Sequence, residues 1–191
     1  IPEIGGPSVK PYQPDGIWEA TTSGRGQLAT YIQDHGKSLY RRGLYNFIKR
    51  TAPPPSMLTF DGPPRDQCEI SRSRTNTPLQ ALILLNDPMV NEAARVFAEK
   101  LIKEKKGNME EMIGLAFRRI VCRKAKLNEV NTLITFYKDQ YQYFSNKTGQ
   151  AEKVLNQGEY PHENIKDKNA VASLALTILT IYNLEESISK T

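Results

Sequence analysis

Apolar positions fall into two regimes along the chain. From Thr77 onward they recur every three or four residues, the period of one face of an α-helix. Thr77-Pro78-Leu79-Gln80 has the form of a capping box: a hydroxyl at the cap, proline in the first turn, and an amide side chain that reaches back. It predicts a helix over 77–85. Asn86-Asp87-Pro88 ends that helix and starts a second over 87–105, with Asp87 as cap and Val90, Ala93, Ala94, Phe97, Ala98, Leu101 and Ile102 as its apolar face. Asn108, followed three residues later by Glu111, starts a third over 108–122 that buries Met112, Ile113, Ala116, Phe117 and Ile120. A fourth, over 127–147, aligns Val130, Ile134, Tyr137, Tyr141 and Phe144 on one stripe. Such a stripe offers faces for stacking sugars or bases, though core packing is its commoner use. The polar stretch 149–166, with Gly158 and Pro161, reads as a loop holding one turn of helix. Asp167 caps a last helix over 168–183. Its apolar run from Ala170 to Tyr182, broken by Ser173, Thr177 and Thr180, marks it as a buried core element. No stretch alternates with the period of a strand.

The first third reads differently. Gly5-Gly6-Pro7, Pro11, Pro14, Gly16 and Gly36, then Pro53-Pro54-Pro55 and Gly62, forbid long regular elements. Yet these loops carry Tyr12, Trp18, Tyr31, Met57, Leu58 and Phe60, which are costly to leave in water. They are therefore expected to pack, against the helices, rather than to float. Between them, Leu39, Tyr40, Leu44, Phe47 and Ile48 have helical spacing and predict one helix over 38–50. The expected fold class is mainly α. It is a single helical bundle-like domain over 1–191, with a long, packed, irregular N-terminal region (1–76, one helix) and a helical core (77–191). Ile1 is not a natural start and the chain opens in mid-loop, so it is expected to be a fragment, and the lack of a visible signal peptide is uninformative.

Charge and cysteine content narrow the function classes. A formal charge of +5 and a pI near 9.1 suit a polyanionic partner, but an excess of Lys and Arg on a solvated face accounts for them as well. With neither a helix-turn-helix nor a basic tail, nucleic acid is disfavoured. No apolar run has the length of a bilayer crossing, so no membrane span is expected. Cys68 and Cys122 are too few for a disulfide framework or a Cys-type metal site, leaving one bridge or two buried free thiols. His35 and His162 are too isolated to suggest a metal. Asp34-His35 sits in a turn at Gly36, where sequence neighbours rarely face each other.

The densest polar constellation is Arg41, Arg42, Arg50, Asp61, Arg65, Arg72, Arg74, Asn76, Asn86 and Asp87. Converging guanidiniums near a helix N-terminus would form an anion site for a ligand or partner, because their planar forks match carboxylate, sulfate or phosphate oxygens. The competing and commoner use of such groups in a packed loop is to tie down backbone amides and carbonyls that lack ladder partners.

The segment from Tyr31 to Asp87 is more particular than patterning requires. Leu39-Tyr40-Arg41-Arg42, Lys49-Arg50-Thr51-Ala52-Pro53-Pro54, Phe60-Asp61 and Arg74-Thr75-Asn76-Thr77-Pro78-Leu79-Gln80-Ala81-Leu82, with the entry segments Gly5–Tyr12 and Trp18-Glu19, resemble the C-terminal domain of planctomycete-type cytochrome-c-associated bacterial surface proteins. That domain has no assigned function. The resemblance implies an exported protein, periplasmic or at the cell surface, with a partner domain upstream. It transfers no catalytic residue. A haem-attachment Cys-x-x-Cys-His is absent, so no cofactor is expected on this fragment, and haem is left to other domains of the full-length protein. The leading expectation is thus a binding or structural module of a cell-envelope protein, docking on its upstream domain or on an anionic polysaccharide. The alternative is part of a hydrolase or redox-linked enzyme acting on polysaccharide, with Asp61, Arg74 and Asp87 in a shared cleft.

Overall fold

A computed structural model describes residues 2–21, 28–63, 68, 70–71, 73–105 and 108–189. It is mainly helical, and among the described residues extended pairing is confined to two isolated bridges, Val9 with Asn46 and Lys49 with Ala52. The chain divides into two compact units, Ile1–Thr75 and Asn76–Thr191.

In the first unit, α1 (Ile17–Ala20) and α2 (Pro55–Thr59) are short, and the predicted helix over 38–50 does not form. Two 3₁₀ turns, Gly36–Tyr40 and Gly43–Tyr45, replace it, separated by extended backbone at Arg41 and Arg42. The cause is a tertiary claim on the same backbone. Val9 donates to Tyr45 O at 2.8 Å and accepts from Phe47 N at 2.8 Å, which ends the second turn and pairs Asn46, in extended backbone, with the N-terminal segment. On the other side of that segment Lys10 N donates to Asp34 Oδ2 at 2.7 Å, and Asp34 N donates to Lys10 O at 2.9 Å. Of the side chains expected to pack, Trp18 and Tyr31 meet each other and Leu58 is exposed. Trp18 is buried, with Tyr31 and Phe47 at centroid distances of 5.3 and 5.9 Å, and Leu39, Val9 and Ala52 are buried as well.

In the second unit the helices follow the sequence pattern closely: α3 (Pro78–Asn86), α4 (Pro88–Lys105), α5 (Met109–Val121), α6 (Leu127–Asn146), α7 (Gln150–Leu155), α8 (Lys168–Tyr182) and α9 (Glu185–Ile188). The capping box forms, with Thr77 Oγ1 accepting from Gln80 N and Gln80 Oε1 accepting from Thr77 N. Asn108 and Asp167 cap α5 and α8 through Glu111 N and Ala170 N. Helix α8 is the axis of the unit and packs against α4, α5, α6 and α7. It is buried on nearly every side, from Val171 to Ala175 and again at Thr177, Ile178, Leu179 and Ile181. The hydroxyls that interrupt its apolar run bond back to their own helix, Ser173 to Asn169 O and Thr177 to Ser173 O, so their burial leaves no polar group unsatisfied.

Two further expectations are corrected. Cys68 and Cys122 are free but exposed; Cys122 is the left-handed cap that terminates α5, at φ +62°. Ala93 faces solvent, while Asn91, Glu92, Arg95 and Glu99 of the same helix are buried. The buried arc of α4 thus includes a charged stripe alongside its apolar one.

Candidate functional site

The arginine constellation divides between the units. Arg65 and Arg72 lie outside the described residues. Arg41, Arg42, Arg50, Asp61 and Arg74 belong to the first unit, whereas Asn76, Asn86 and Asp87 belong to the second. Arg41 is held by backbone. Its guanidinium donates to Pro7 O at 3.3 Å and to Gly5 O, and stacks over the Tyr45 ring at 3.8 Å. Tyr45 in turn accepts from Gly5 N through its hydroxyl at 2.7 Å. Asp61, itself left-handed at φ +55°, accepts from Thr75 N at 2.8 Å and from the Thr75 hydroxyl at 3.0 Å. Gly62 beside it has no room for a side chain, since a Cβ there would lie 2.6 Å from Met57 O. Asn86 donates to Leu82 O, and Asp87 caps α4 by accepting from Met89 N at 2.8 Å. Arg42, Arg50, Arg74 and Asn76 are exposed. Arg41 and Asp61 therefore serve backbone distant in sequence, and Asn86 and Asp87 serve local backbone.

The Asp34 carboxylate receives the Lys10 amide at 2.7 Å. His162 meets an acid on the charged stripe of α4. Glu92, Arg95, Glu99 and Lys103 follow one another at helical intervals of three and four, so all four project from one side. Arg95, 1% exposed, donates to Glu99 Oε1 at 2.9 Å, to His162 Nδ1 at 3.2 Å and to Tyr160 O at 2.6 Å. Glu92 accepts from Tyr160 N, Glu99 accepts from Glu163 N at 3.4 Å, and Lys103 pairs with Glu163. Backbone between α7 and α8 is thereby clamped along α4. Gly158 is required for it: its φ is +84°, and a Cβ would lie 2.2 Å from Glu92 Oε1. A cavity of about 200 Å³ beside the clamp is lined by Glu99, Glu152, His162, Glu163 and Lys168 among others. Each of its carboxylates has a cation: Glu99 has Arg95, Glu163 has Lys103, and Glu152 has Lys168 at 2.7 Å.

The larger of the two recesses lies where α4, α5, α6 and α8 meet. It is a cleft of about 550 Å³, a ligand-sized volume. Ile102, Met109, Met112, Tyr137 and Tyr141 make its floor apolar, while Lys138, Gln142 and Asp167 supply its polar groups. Tyr137 and Tyr141 lie one helical turn apart with nearly parallel rings (22°, centroids 6.3 Å). Tyr137 is buried, whereas Tyr141 is 37% exposed and donates to Asp167 Oδ2 at 3.1 Å. Burial, with Asp167 and Tyr141 close by, pushes the Tyr137 phenol up to about 12. The hydrogen bond to Asp167 raises that of Tyr141. Both rings are therefore neutral, hydrogen-bonding surfaces at neutral pH. Asp167 is fixed from two sides, since its other oxygen caps α8.

The molecule is thus, in class, a mainly helical protein whose helical unit carries a ligand-sized cleft with an apolar floor and polar edges. Its sequence matches the family described as PSD1, Protein of unknown function (DUF1553), over residues 1–137, and the chain belongs to that family. No curated protein and no solved structure matches it.

Proposed function

We propose that the chain is a binding module of an exported, multidomain cell-envelope protein, and that its ligand seat is the cleft of the helical unit. The cleft itself is the observation that supports this reading: about 550 Å³, floored by aromatic and thioether groups and edged by a few polar ones, as small-molecule sites are built. Export, an upstream partner domain and haem carried elsewhere in the full-length protein rest on the family resemblance. The exposed guanidiniums of Arg42 and Arg50 and the net positive charge support a further contact with that domain or with an anionic polymer. A hydrolytic reading has one geometric foothold, the buried Glu99 carboxylate 3.6 Å from His162 Nδ1. The carboxylates there are each paired with a cation, an arrangement that suits a clamp better than an acid–base pair.

The chain's four methionines make a direct test. Met109 and Met112 line the cleft, whereas Met57 and Met89 do not. With methyl-labelled methionine, a screen of small soluble compounds (sugars, aromatic alcohols, short acyl chains) should yield ligands that shift the Met109 and Met112 signals and leave Met57 and Met89 in place. A screen in which no compound moves those two signals ends the proposal.

A further inference from the structure

We infer that the cleft takes a neutral, hydroxylated ring with an apolar C–H face, a pyranose unit or an equivalent cyclic polyol. This deepens the binding-module reading and rests on it. The floor and the edge of the cleft set opposite demands, and only some ligands meet both. A purely aliphatic ligand would cover Met109, Met112 and the tyrosine rings but would strip water from Lys138, Gln142 and Asp167 without replacing its hydrogen bonds. A strongly anionic ligand would meet Lys138 but would also approach the Asp167 carboxylate, and it would leave the apolar floor without a partner. A ring that is apolar on one face and hydroxylated around its edge satisfies both. Its C–H face lies on tyrosine, and its hydroxyls donate to Asp167 and Gln142 and accept from Lys138 and Gln142.

Tyr141 gives this inference a particular form. Its hydroxyl donates to Asp167 Oδ2 at 3.1 Å, on a side chain 37% exposed. Asp167 is thus presented to the cleft with an acceptor already aligned by one hydroxyl, and a ligand hydroxyl can share or replace that bond. The carboxylate does not wander, because Oδ1 is committed to the Ala170 amide at 3.0 Å. A second phenol, that of Tyr137, lies on the same stripe but is buried, so Tyr141 supplies the accessible face.

The experiment is a methyl-NMR titration of the full chain with cellobiose, with cyclohexylmethanol as the apolar probe and digalacturonate as the acidic one. Cellobiose is expected to shift Met109 and Met112 and to bind more tightly than either comparator. Asp167→Asn, which keeps an oxygen for the cap, should weaken cellobiose about tenfold, the loss of one charge-assisted hydrogen bond. Tyr141→Ala should weaken it at least as much, whereas Tyr141→Phe, which keeps the ring and frees Asp167 Oδ2, should bind cellobiose as well as or better than the parent. Binding of cyclohexylmethanol without cellobiose overturns the ligand class and leaves the binding-module reading standing. Tighter binding of digalacturonate overturns neutrality. Tyr141→Phe falling as far as Tyr141→Ala overturns the stacking face. Silence at Met109 and Met112 with all three probes removes the ligand class, and silence across the wider screen removes the module reading with it.

Discussion

The two units solve the same backbone problem by opposite means. In the first, irregular backbone has few ladder partners, and side chains take their place. Trp18 Nε1 donates to Leu28 O at 2.9 Å, Tyr31 donates to Pro11 O at 2.5 Å, Glu19 accepts from Tyr31 N, and Arg41 and Asp61 serve the N-terminal segment and Thr75. In the second, helices satisfy their own backbone, and stability comes from the apolar faces gathered around α8. Chemical identity at single positions therefore governs the first unit. Shape and volume govern the second, except along the charged stripe of α4, where the helical unit adopts the device of the irregular one.

That exception carries the largest expected effect. Arg95→Ala leaves Glu99 buried without its cation and should cost about 3–5 kcal/mol, the penalty for breaking a buried ion pair from one side. Hydrogen exchange at the Tyr160 and Glu163 amides should rise with it. A loss under about 1 kcal/mol, a value typical of exposed pairs, would show that the helical unit is held by apolar packing alone. Next in size is Arg41→Ala in the first unit, expected to lower stability by about 1.5–3 kcal/mol, as for hydrogen bonds made by a charged group. Arg41→Lys should restore little of it, because a point charge cannot span the carbonyls that the planar fork reaches. Full rescue by Lys in thermal melts would mean that charge, not geometry, fixes the N-terminal segment.

The smallest effect is one of pH. Arg123 grips Glu129 through two bonds of 2.7 and 2.9 Å and Glu186 through two of 2.7 and 2.8 Å, joining the α5–α6 turn to α9. Its guanidinium, aided by the Lys126 amide, holds the Glu129 carboxyl down to about 2, below the ordinary 4.5. A depressed carboxyl contributes stability that is fully present above its unfolded value and is lost as pH falls from about 4.5 toward 2. An NMR titration of Glu129 should show that low midpoint, and Arg123→Ala should return it toward 4.5. An unchanged midpoint in the variant would remove Arg123 as the cause.

How much of this was legible in the sequence follows from the same contrast. Capping residues announce themselves locally, so Thr77, Asn108 and Asp167 marked the starts of α3, α5 and α8, and the apolar stripe of α5 was read correctly from its spacing. The segment 38–50 misleads because its helical spacing is local, while the pairing of Asn46 with Val9 that interrupts a continuous helix comes from a segment more than thirty residues away. Glu92, Arg95 and Glu99 carried a signal in their three-and-four spacing, but nothing local distinguishes a buried charged stripe from a solvated one. What decides it is the loop lying over them. The tyrosine stripe was visible and its ordinary use was half right: Tyr137 and Phe144 are buried, and Tyr141 opens onto the cleft. A recess assembled from four helices and a capping aspartate has no signature in any one of them.

The clamp on α4 has an evolutionary consequence. Gly158 and Glu92 stand 66 residues apart, yet any side chain at the first would occupy the place of the second. A side chain at 158 therefore demands a shorter residue at 92, and the left-handed backbone at φ +84° favours glycine there in either case, so 92 can change alone but 158 cannot. The same geometry sets where the chain can change length. A residue added or lost between Leu155 and Glu163 would carry the Tyr160 and Glu163 amides off the rungs of the α4 stripe. Between Glu163 and the Asp167 cap no such register is imposed, except that Ile165 rests on the core. Across DUF1553 relatives that keep Glu92, Arg95 and Glu99, the spacing from 155 to 163 should be invariant, and length variation should collect on either side of it.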